Sequence, residues 1–327
     1  MIDFQPLPMG TERGQVASYH RSPAPLDLNG EHLAGESDLE GLANRRDLFE
    51  EAEGYKSRFT IGFEIEKLRF KRSAVKPYTL FKGFERDGSC GVEAITNILP
   101  LVGKSVWRMK VYDLFVRAEE IIDDKYSPSN QSCGGHISLQ CQGLDVYELL
   151  DELRPYMGMF YALWAGRLGN SYCRQNLKLR PEYNTKYSPV YLKPALNILE
   201  IRLPNRVTNV RSLMRRYELC YLAMHYALKD RGSEDRSVGK NLAGFYREAL
   251  PIVTRMYDGD RAKALDRIAT ARDISKYLTG GTLKAYLIPV VDRYFNDHTR
   301  WERRAREVYR DNRHEFSSWV HSQIRQR

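Results

Sequence analysis

The 327-residue sequence predicts an α+β protein, in which helices cover a mainly antiparallel sheet and a helical region follows at the C-terminal end. Three observations support this class. Between residues 58 and 142, several stretches alternate apolar and polar residues with the period of two that is typical of strands. The stretch 103–124 repeats apolar residues at helical spacing. Beyond residue 203 only helical spacing recurs, so no further strand is predicted there.

The first predicted strand, 58–72, has a polar face that demands an explanation. Its apolar face carries Phe59, Ile61, Phe63, Ile65 and Lys67, and its opposite face carries Thr60, Gly62, Glu64, Glu66 and Leu68. Two carboxylates on one face of a strand repel each other, and in an apolar setting this repulsion is costly. A shared divalent cation would remove the cost, because hard cations bind carboxylate oxygens. A solvated strand face is the alternative interpretation.

The following elements extend this pattern. Strands are predicted at 78–86 and 91–98, joined by the Asp87-Gly88-Ser89 turn. An amphipathic helix is predicted at 103–124, and a strand entered through two glycines at 132–142.

The second half of the chain is mostly helical. A helix is predicted at 145–167, with Asp145 as its N-cap and Pro155 kinking or dividing it. A basic loop at 170–187 leads to strands at 187–192 and 195–203. The remaining predicted helices are 211–229, 239–257, 261–270 and a last basic one at 298–323.

The composition of the sequence limits which class of protein this is and where it is expected in the cell. No apolar run is long enough to span a bilayer, and the N-terminus lacks the apolar stretch of a signal peptide, so a cytoplasmic location without a membrane is expected. The five cysteines are widely spaced and form no CxxC pair, which indicates neither a disulfide framework nor a zinc site and predicts reduced, mostly buried thiols. A net charge of +9 fits an anionic partner. The predicted parts are an extended polar arm at 1–54, a core at 55–235 and a helical region at 236–327.

Further polar residues lie where the predicted strands begin or end. Glu93 follows a turn, and His136 follows two glycines. Glu200 and Arg202 share one face of a strand that is predicted to be buried on both sides. Each has a structural alternative, since Glu200 and Arg202 can form an ion pair and a lone histidine is often a hydrogen-bonded core residue.

In chain order, four short motifs carry a resemblance to a known family: GFEIE at 62–66, DGSCGVE at 87–93, CGGHIS at 133–138 and LEIR at 199–202. Together they resemble the amidoligase family, whose fold is of the glutamine synthetase and glutamate–cysteine ligase type. The resemblance covers about residues 59–229. It implies a curved, mainly antiparallel sheet with helices on its outer face.

The resemblance also implies roles for individual residues. The implied ligands of two metal ions are Glu64, Glu66, Glu93, His136 and Glu200. Glu64, Glu93 and Arg202 are the implied catalytic residues, and Arg202 is the one that contacts the transferring phosphate. The implied or candidate nucleotide-binding residues are His136, Ser138, Arg174, Lys178, Arg180 and Arg202, with Lys186 of the same basic loop beside them. Ser138 departs from the family pattern, which has a second histidine that helps bind nucleotide phosphates.

The activity implied by the resemblance is ATP-dependent amide or peptide bond formation through an acyl phosphate. Oxygen-rich ligands with one histidine suit Mg²⁺ or Mn²⁺ rather than Zn²⁺. The substrates would be a small-molecule or peptide carboxylate and an amine.

Other interpretations of the function stay open. Ser138 favours a non-catalytic relative that serves as a structural or assembly subunit. The basic segment 301–327 offers nucleic-acid binding, although its mixed acids and arginines fit a solvated amphipathic helix better. The N-terminal arm offers a contact for a homo-oligomer.

Overall fold

The computed structural model describes residues 59–69, 80–87, 90–96, 98–168, 173, 179, 181, 184–281 and 284. Three sets of predictions lie outside these residues: the arm 1–54, the last helix at 298–323, and the basic-loop candidates Arg174, Lys178 and Arg180.

The described residues form seven strands and seven α-helices. The strands are β1 (Phe59–Lys67), β2 (Phe81–Asp87), β3 (Gly91–Thr96), β4 (Leu99–Pro100), β5 (Ile137–Cys141), β6 (Val190–Lys193) and β7 (Ile198–Ile201). The helices are α1 (Val106–Arg117), α2 (Glu119–Ile122), α3 (Val146–Leu153), α4 (Met157–Trp164), α5 (Val210–Leu228), α6 (Val238–Met256) and α7 (Arg261–Leu278). Short 3₁₀ turns occupy Arg154–Tyr156, Ala165–Arg167 and Pro194–Leu196.

One seven-stranded sheet has the order β2-β3-β1-β5-β7-β6, and β4 pairs with β1 beyond the end of β3. The pairs β1–β3, β1–β4, β1–β5, β2–β3 and β5–β7 are all antiparallel. The predicted α+β class with an antiparallel sheet is therefore confirmed. The curvature implied by the family resemblance stays a prediction.

The apolar face of β1 packs as its alternation predicts. Ile61, Phe63 and Ile65 are buried, and the Phe63 ring meets the Phe115 ring of α1 edge-on at 5.9 Å. Phe115 also contacts the Tyr217 ring of α5, with centroids 6.3 Å apart. Burying each such side chain stabilises the fold by about 1.5–3 kcal/mol, so this layer anchors the strand that carries Glu64 and Glu66.

Lys67 continues the apolar face although it is charged. Its side chain is fully buried, and its Nζ donates to the carbonyls of Ile122 and Val207, each at 2.8 Å, and to Asp124 at 2.5 Å. Three partners match the three N–H donors of an ammonium group. Burial still lowers the pKa of Lys67 below its ordinary value, although Asp124 opposes that shift.

Local signals in the helical segments act as predicted. Asp145 caps α3, since its Oδ1 accepts from the backbone N–H groups of Tyr147 and Glu148 at 2.9 and 2.8 Å. Pro155 divides the segment, because the 3₁₀ turn Arg154–Tyr156 separates α3 from α4. The predicted buried, reduced thiols are also found, since all five cysteines are buried and none forms a disulfide.

Several predicted boundaries are wrong. The strand predicted at 195–203 is only Ile198–Ile201, because Pro194 begins a 3₁₀ turn and Asn197 follows it in the left-handed region at φ 51°. The strand predicted at 187–192 begins later, at Val190. The helix predicted at 103–124 is interrupted at Ala118, and the helix predicted at 261–270 continues to Leu278.

The chain divides into two compact units. Of the described residues, those between 59 and 149 and between 192 and 225 form one unit, and those between 150 and 191 and between 226 and 284 form the other. The first contains the central strands of the sheet. In the second, the Tyr246 hydroxyl pairs with the Ser275 hydroxyl at 2.7 Å, joining α6 to α7. The predicted division at 54 and 235 stays a prediction, since its first boundary lies outside the described residues.

Among the described residues, no helix combines the length and the apolar character needed to cross a membrane.

Candidate functional site

Because of the strand register, polar side chains lie close together on the sheet face opposite the apolar layer. In β1, Gly62 lies opposite Ser138 of β5, and Ser138 lies opposite Glu200 of β7. On the other side of β1, Glu66 lies directly opposite Glu93 of β3. Since side chains alternate along each strand, these positions share one face.

A first group of possible ligands consists of Glu64, His136 and Glu200. One ligand atom from each lies within 4.8 Å of the others. His136 Nδ1 lies 2.7 Å from Glu64 Oε2 and 3.9 Å from Glu200 Oε1. All three side chains are buried, and Glu200 has no exposed surface. An imidazole and two carboxylates so arranged can hold one divalent cation.

Two basic side chains border this first group. Arg202 forms an ion pair with Glu200, and Lys193 contacts Glu200 and also Glu64, the latter at 3.6 Å. Burial and the neighbouring Glu64 charge would raise the pKa of Glu200, but Lys193, Arg202 and His136 outweigh them and lower it. Conversely, burial would lower the pKa of Lys193, but Glu200 and Glu64 raise it. Glu200 is therefore ionised and Lys193 protonated at neutral pH.

A second group consists of Glu66, Cys90 and Glu93. Their ligand atoms also lie within 4.8 Å of one another. Glu66 accepts a hydrogen bond from the backbone N–H of Gly134, and its Oε1 lies 3.4 Å from His136 Nε2. The imidazole of His136 therefore lies between the two groups, with one ring nitrogen facing each.

The loop that carries His136 is fixed by backbone contacts. Gly134 bridges to Asn205, and the Glu64 N–H donates to the His136 carbonyl at 3.1 Å. Arg216 of α5 donates to the carbonyl of Gly135 at 3.4 Å and to the Asn205 side chain at 2.9 Å. A Cβ at Gly135 would lie 2.7 Å from the Asn205 carbonyl oxygen, which explains the glycine.

Carboxylates cluster on this face. Among the described residues of the two groups and their border, four carboxylates (Glu64, Glu66, Glu93 and Glu200) lie beside two basic side chains (Lys193 and Arg202). Burying carboxylates close to one another is costly, and a bound cation would lower that cost.

The structure thus brings together most of the predicted site residues. They are Glu64, Glu66, Glu93, Ser138, His136, Glu200 and Arg202. Glu93 lies within β3 and is half-buried, whereas a position just after a turn is usually exposed. Ser138 is half-buried between Gly62 and Glu200. Lys186 is exposed, with its Nζ 5.1 Å from the centre of the Tyr187 ring.

Sequence analysis missed two residues. Lys193 ends a predicted strand just before a proline and the ALNILEIR segment, and this position is the sequence signal that could identify it. The sequence predicts Cys90 only as a buried thiol, although it lies within the DGSCGVE motif. It is also close to Cys133, and hydrogen bonding to Cys90 lowers the pKa of Cys133 to about 7 despite burial.

Comparisons with known proteins add little to this geometry. No family model matches the sequence, and no curated protein matches it. Among solved structures, apo GmaS without ligand matches with a TM-score of 0.30 and 14% sequence identity, covering 79% of this chain and 78% of that chain. A TM-score this low carries no argument about the function of this chain.

Proposed function

We propose that this protein is an ATP-dependent carboxylate–amine ligase. The supporting observation is the convergence of Glu64, His136 and Glu200 with the cations of Arg202 and Lys193 on one buried sheet face. Carboxylates that can hold metal ions, placed beside donors that can bind phosphate oxygens, form the combination that phosphoryl transfer from ATP requires.

The donor set of the first group fits Mg²⁺ or Mn²⁺. Two carboxylates and one imidazole are hard or borderline donors, and their ligand atoms lie within 4.8 Å of one another. When bound, a divalent cation would neutralise negative charge on the phosphates. Glu64, Glu200 and His136 would hold it, with Glu66 and Glu93 beside them.

Arg202 is the proposed phosphate-binding residue. Its Nη1 is engaged by Glu200, while its Nε is buried and has no hydrogen-bond partner among the described residues. Glu200 thus orients the guanidinium, and we propose that the two N–H donors of its Nη2 bind a substrate oxygen. Lys193 supplies a second fixed positive charge beside Glu200 and Glu64.

The proposed reaction has two balanced steps. A carboxylate oxygen of the first substrate attacks the γ-phosphorus of ATP, and ADP leaves. The amine of the second substrate then attacks the acyl carbon, inorganic phosphate leaves with the carbon–oxygen bond electrons, and the amine loses a proton. Positive charge from Arg202 and Lys193 favours both steps, because each step develops negative charge on phosphate oxygens.

The test is magnesium-dependent ADP release with a panel of carboxylates and amines, for the wild type, Glu64→Gln and Arg202→Ala. Both variants are expected to lose at least about 100-fold in turnover, as when a charge-stabilising donor is removed. Glu119→Gln and Arg211→Ala, at exposed helix positions, are matched controls and should retain full turnover.

A panel that lacks the right substrates would also give background turnover, so binding is measured too. Mg²⁺ with ATP should raise the melting temperature of the wild type and not that of Glu64→Gln. Background turnover in all variants, together with no shift of the wild-type melting temperature, would contradict the proposal.

A second candidate is a non-catalytic protein of the same fold type, acting as a structural or assembly subunit. One specific observation favours it: Lys193 and Arg202 already neutralise Glu200 without any metal. Ser138, which carries no positive charge for a nucleotide phosphate, agrees with it. The same melting experiment separates the two, since the non-catalytic protein would not respond to Mg²⁺ with ATP.

A further inference from the structure

We propose that Cys90 and Cys133 form a reversible disulfide, and that this bond moves the loop that carries His136. The two cysteines would then act as a redox switch beside the acidic sheet face. The switch deepens the proposed function as a way to regulate it, and in that respect it rests on the ligase proposal.

The two thiols are already in contact. The Cys133 thiol hydrogen-bonds to the Cys90 thiol, and Cys133 Sγ lies 4.0 Å from the Cys90 carbonyl oxygen. The two residues are 43 positions apart in the sequence, so the fold and not the local sequence brings them together. Thiols in contact need only a small movement to reach the S–S bond length of about 2.05 Å.

The chain holds both cysteines near the end of β1. Cys90 leads into β3 through Gly91, which has φ 115°, and a Cβ on Gly91 would lie 2.3 Å from the Leu68 carbonyl oxygen. The Leu68 N–H donates to the carbonyl of Pro128 at 2.9 Å, in the segment that leads to Cys133. Backbone contacts to one residue, Leu68, therefore fix both segments that carry the thiols.

The pair lies close to the protein surface although both cysteines are buried. Cys133 Sγ lies 3.5 Å from the side-chain oxygen of Asn130, and Asn130 is exposed. On the other side, Cys90 lies beside the half-buried Glu93. A small oxidant such as hydrogen peroxide therefore has to pass one side chain to reach the thiols.

Hydrogen peroxide is the proposed oxidant, and the reaction has two balanced steps. One sulfur attacks a peroxide oxygen, the O–O bond breaks, and a sulfenic acid and water form. The second sulfur then attacks the sulfenic sulfur, the S–O bond breaks, and a second water leaves with the proton of the second thiol. The two sulfurs lose two electrons in total, and these electrons reduce the peroxide to two water molecules. A dithiol reductant reverses the change by thiol–disulfide exchange.

The disulfide would change the surroundings of His136. Cys133 directly precedes Gly134, whose N–H donates to the Glu66 carboxylate, and His136 follows two residues later. His136 Nε2 lies 3.4 Å from Glu66 Oε1. Drawing Cys133 toward Cys90 moves this loop along the end of β1, so the contacts between His136 and Glu66 should change.

The first test counts thiols in the folded, reduced protein after treatment with hydrogen peroxide. The wild type should lose two of its five thiols, peptide mapping should find residues 90 and 133 linked, and dithiothreitol should restore both thiols. Cys90→Ser and Cys133→Ser should form no disulfide, and dimedone should trap a sulfenic acid on the cysteine that remains. Cys141→Ser, which removes a buried thiol from β5, is the matched control and should still lose two thiols.

The second test follows the loop by NMR. The imidazole resonances of His136 are assigned by their loss in His136→Asn, and peroxide should shift them in the wild type and in Cys141→Ser but not in Cys133→Ser. An unchanged thiol count in the wild type, a disulfide between another pair of cysteines, or a disulfide that leaves the His136 resonances in place would each overturn the proposal.

Failure of the switch is distinguishable from failure of the proposed ligase activity. Oxidation should lower magnesium-dependent ADP release at least about tenfold, the scale of effects from groups that support metal ligands, and dithiothreitol should restore it. ADP release that is equal in the reduced and the disulfide-linked protein would leave the ligase intact and overturn the regulation. A disulfide that shifts the His136 resonances, without ADP release or a melting response to Mg²⁺ with ATP in either state, would support the switch and contradict the ligase.

Discussion

The two faces of β1 satisfy their charged side chains in opposite ways. On the apolar face, Lys67 is fully buried and has three oxygen partners for its three donors. On the other face, Glu64 and Glu66 lie near Glu93 and Glu200 among groups of possible metal ligands, and Lys193 contacts Glu64 and Glu200. A lysine whose three donors all have partners serves the stability of the fold, whereas carboxylates brought together can bind a cation.

The largest effect on stability is expected from replacing Lys67, whose three donors all have oxygen partners. Lys67→Met should lower the free energy of unfolding by about 3–5 kcal/mol, because it leaves the Asp124 carboxylate and two carbonyls without their buried cation. Urea denaturation followed by circular dichroism measures it.

The neighbouring residue on the other face is the matched comparison. Glu66→Gln should change the free energy of unfolding by less than about 1 kcal/mol, since it removes one of several like charges and keeps an acceptor for the Gly134 N–H. Equal losses in the two variants would mean that the faces do not differ in this way.

A smaller loss of stability is expected when the hydroxyl of Tyr217, a neutral hydrogen-bonding group in the apolar layer, is removed. The Tyr217 hydroxyl donates to the Pro100 carbonyl at 2.6 Å and accepts from the Val102 N–H at 2.8 Å. Tyr217→Phe should therefore cost about 1–2 kcal/mol, the penalty for leaving a buried group unpaired. Tyr147→Phe, at an exposed position of α3, is the control and should unfold like the wild type. An unchanged urea midpoint in Tyr217→Phe would show that water replaces the hydroxyl.

A loss at the lower end of this range is expected at a partly exposed ion pair in the second unit, and it should depend on pH. Glu152 accepts from Arg231 at 3.0 Å and from Arg236 at 3.2 Å. Burial would raise the pKa of Glu152, but the two arginines outweigh it and lower the pKa. A lowered carboxyl pKa contributes stability above the unfolded-state value of about 4.3, and that contribution disappears as the pH falls through the folded value.

Glu152→Gln should thus destabilise the protein by about 1 kcal/mol at pH 7, because solvent screens the pair. The difference from the wild type should shrink between about pH 5 and 3. Urea midpoints across this range provide the measurement, with the exposed Glu234→Gln as control. A difference that stays constant with pH would rule out the ion pair as its cause.

Much of the site follows from alternation along strands. The period of two places Glu64 and Glu66 on one face of their strand. It also places Glu200 and Arg202 on one face of another strand. Neither conclusion requires knowledge of the strand pairing. Which strands are neighbours, and in which register, depends on contacts distant in sequence, so the direct pairing of Glu66 with Glu93 could not be predicted.

The missed features have local causes. ALNILEIRL reads as one long apolar strand, but Pro194 and the left-handed Asn197 turn the chain before Ile198. That turn separates Lys193 from β7, and the ammonium group of Lys193 forms an ion pair with Glu200 of β7. The sequence does not predict that Cys90 lies near carboxylates, because a buried thiol is common in protein cores. Only the folded structure shows Glu66 and Glu93 beside it.

The register of β1 has a consequence for how this chain can vary in length. Side chains on a strand change sides at every step, so inserting or deleting a single residue ahead of Gly62 would turn Glu64 and Glu66 into the hydrophobic layer and place Phe63 and Ile65 on the face that carries the carboxylates. Homologues that keep this chemistry should therefore show gaps in the connections between strands and none within β1.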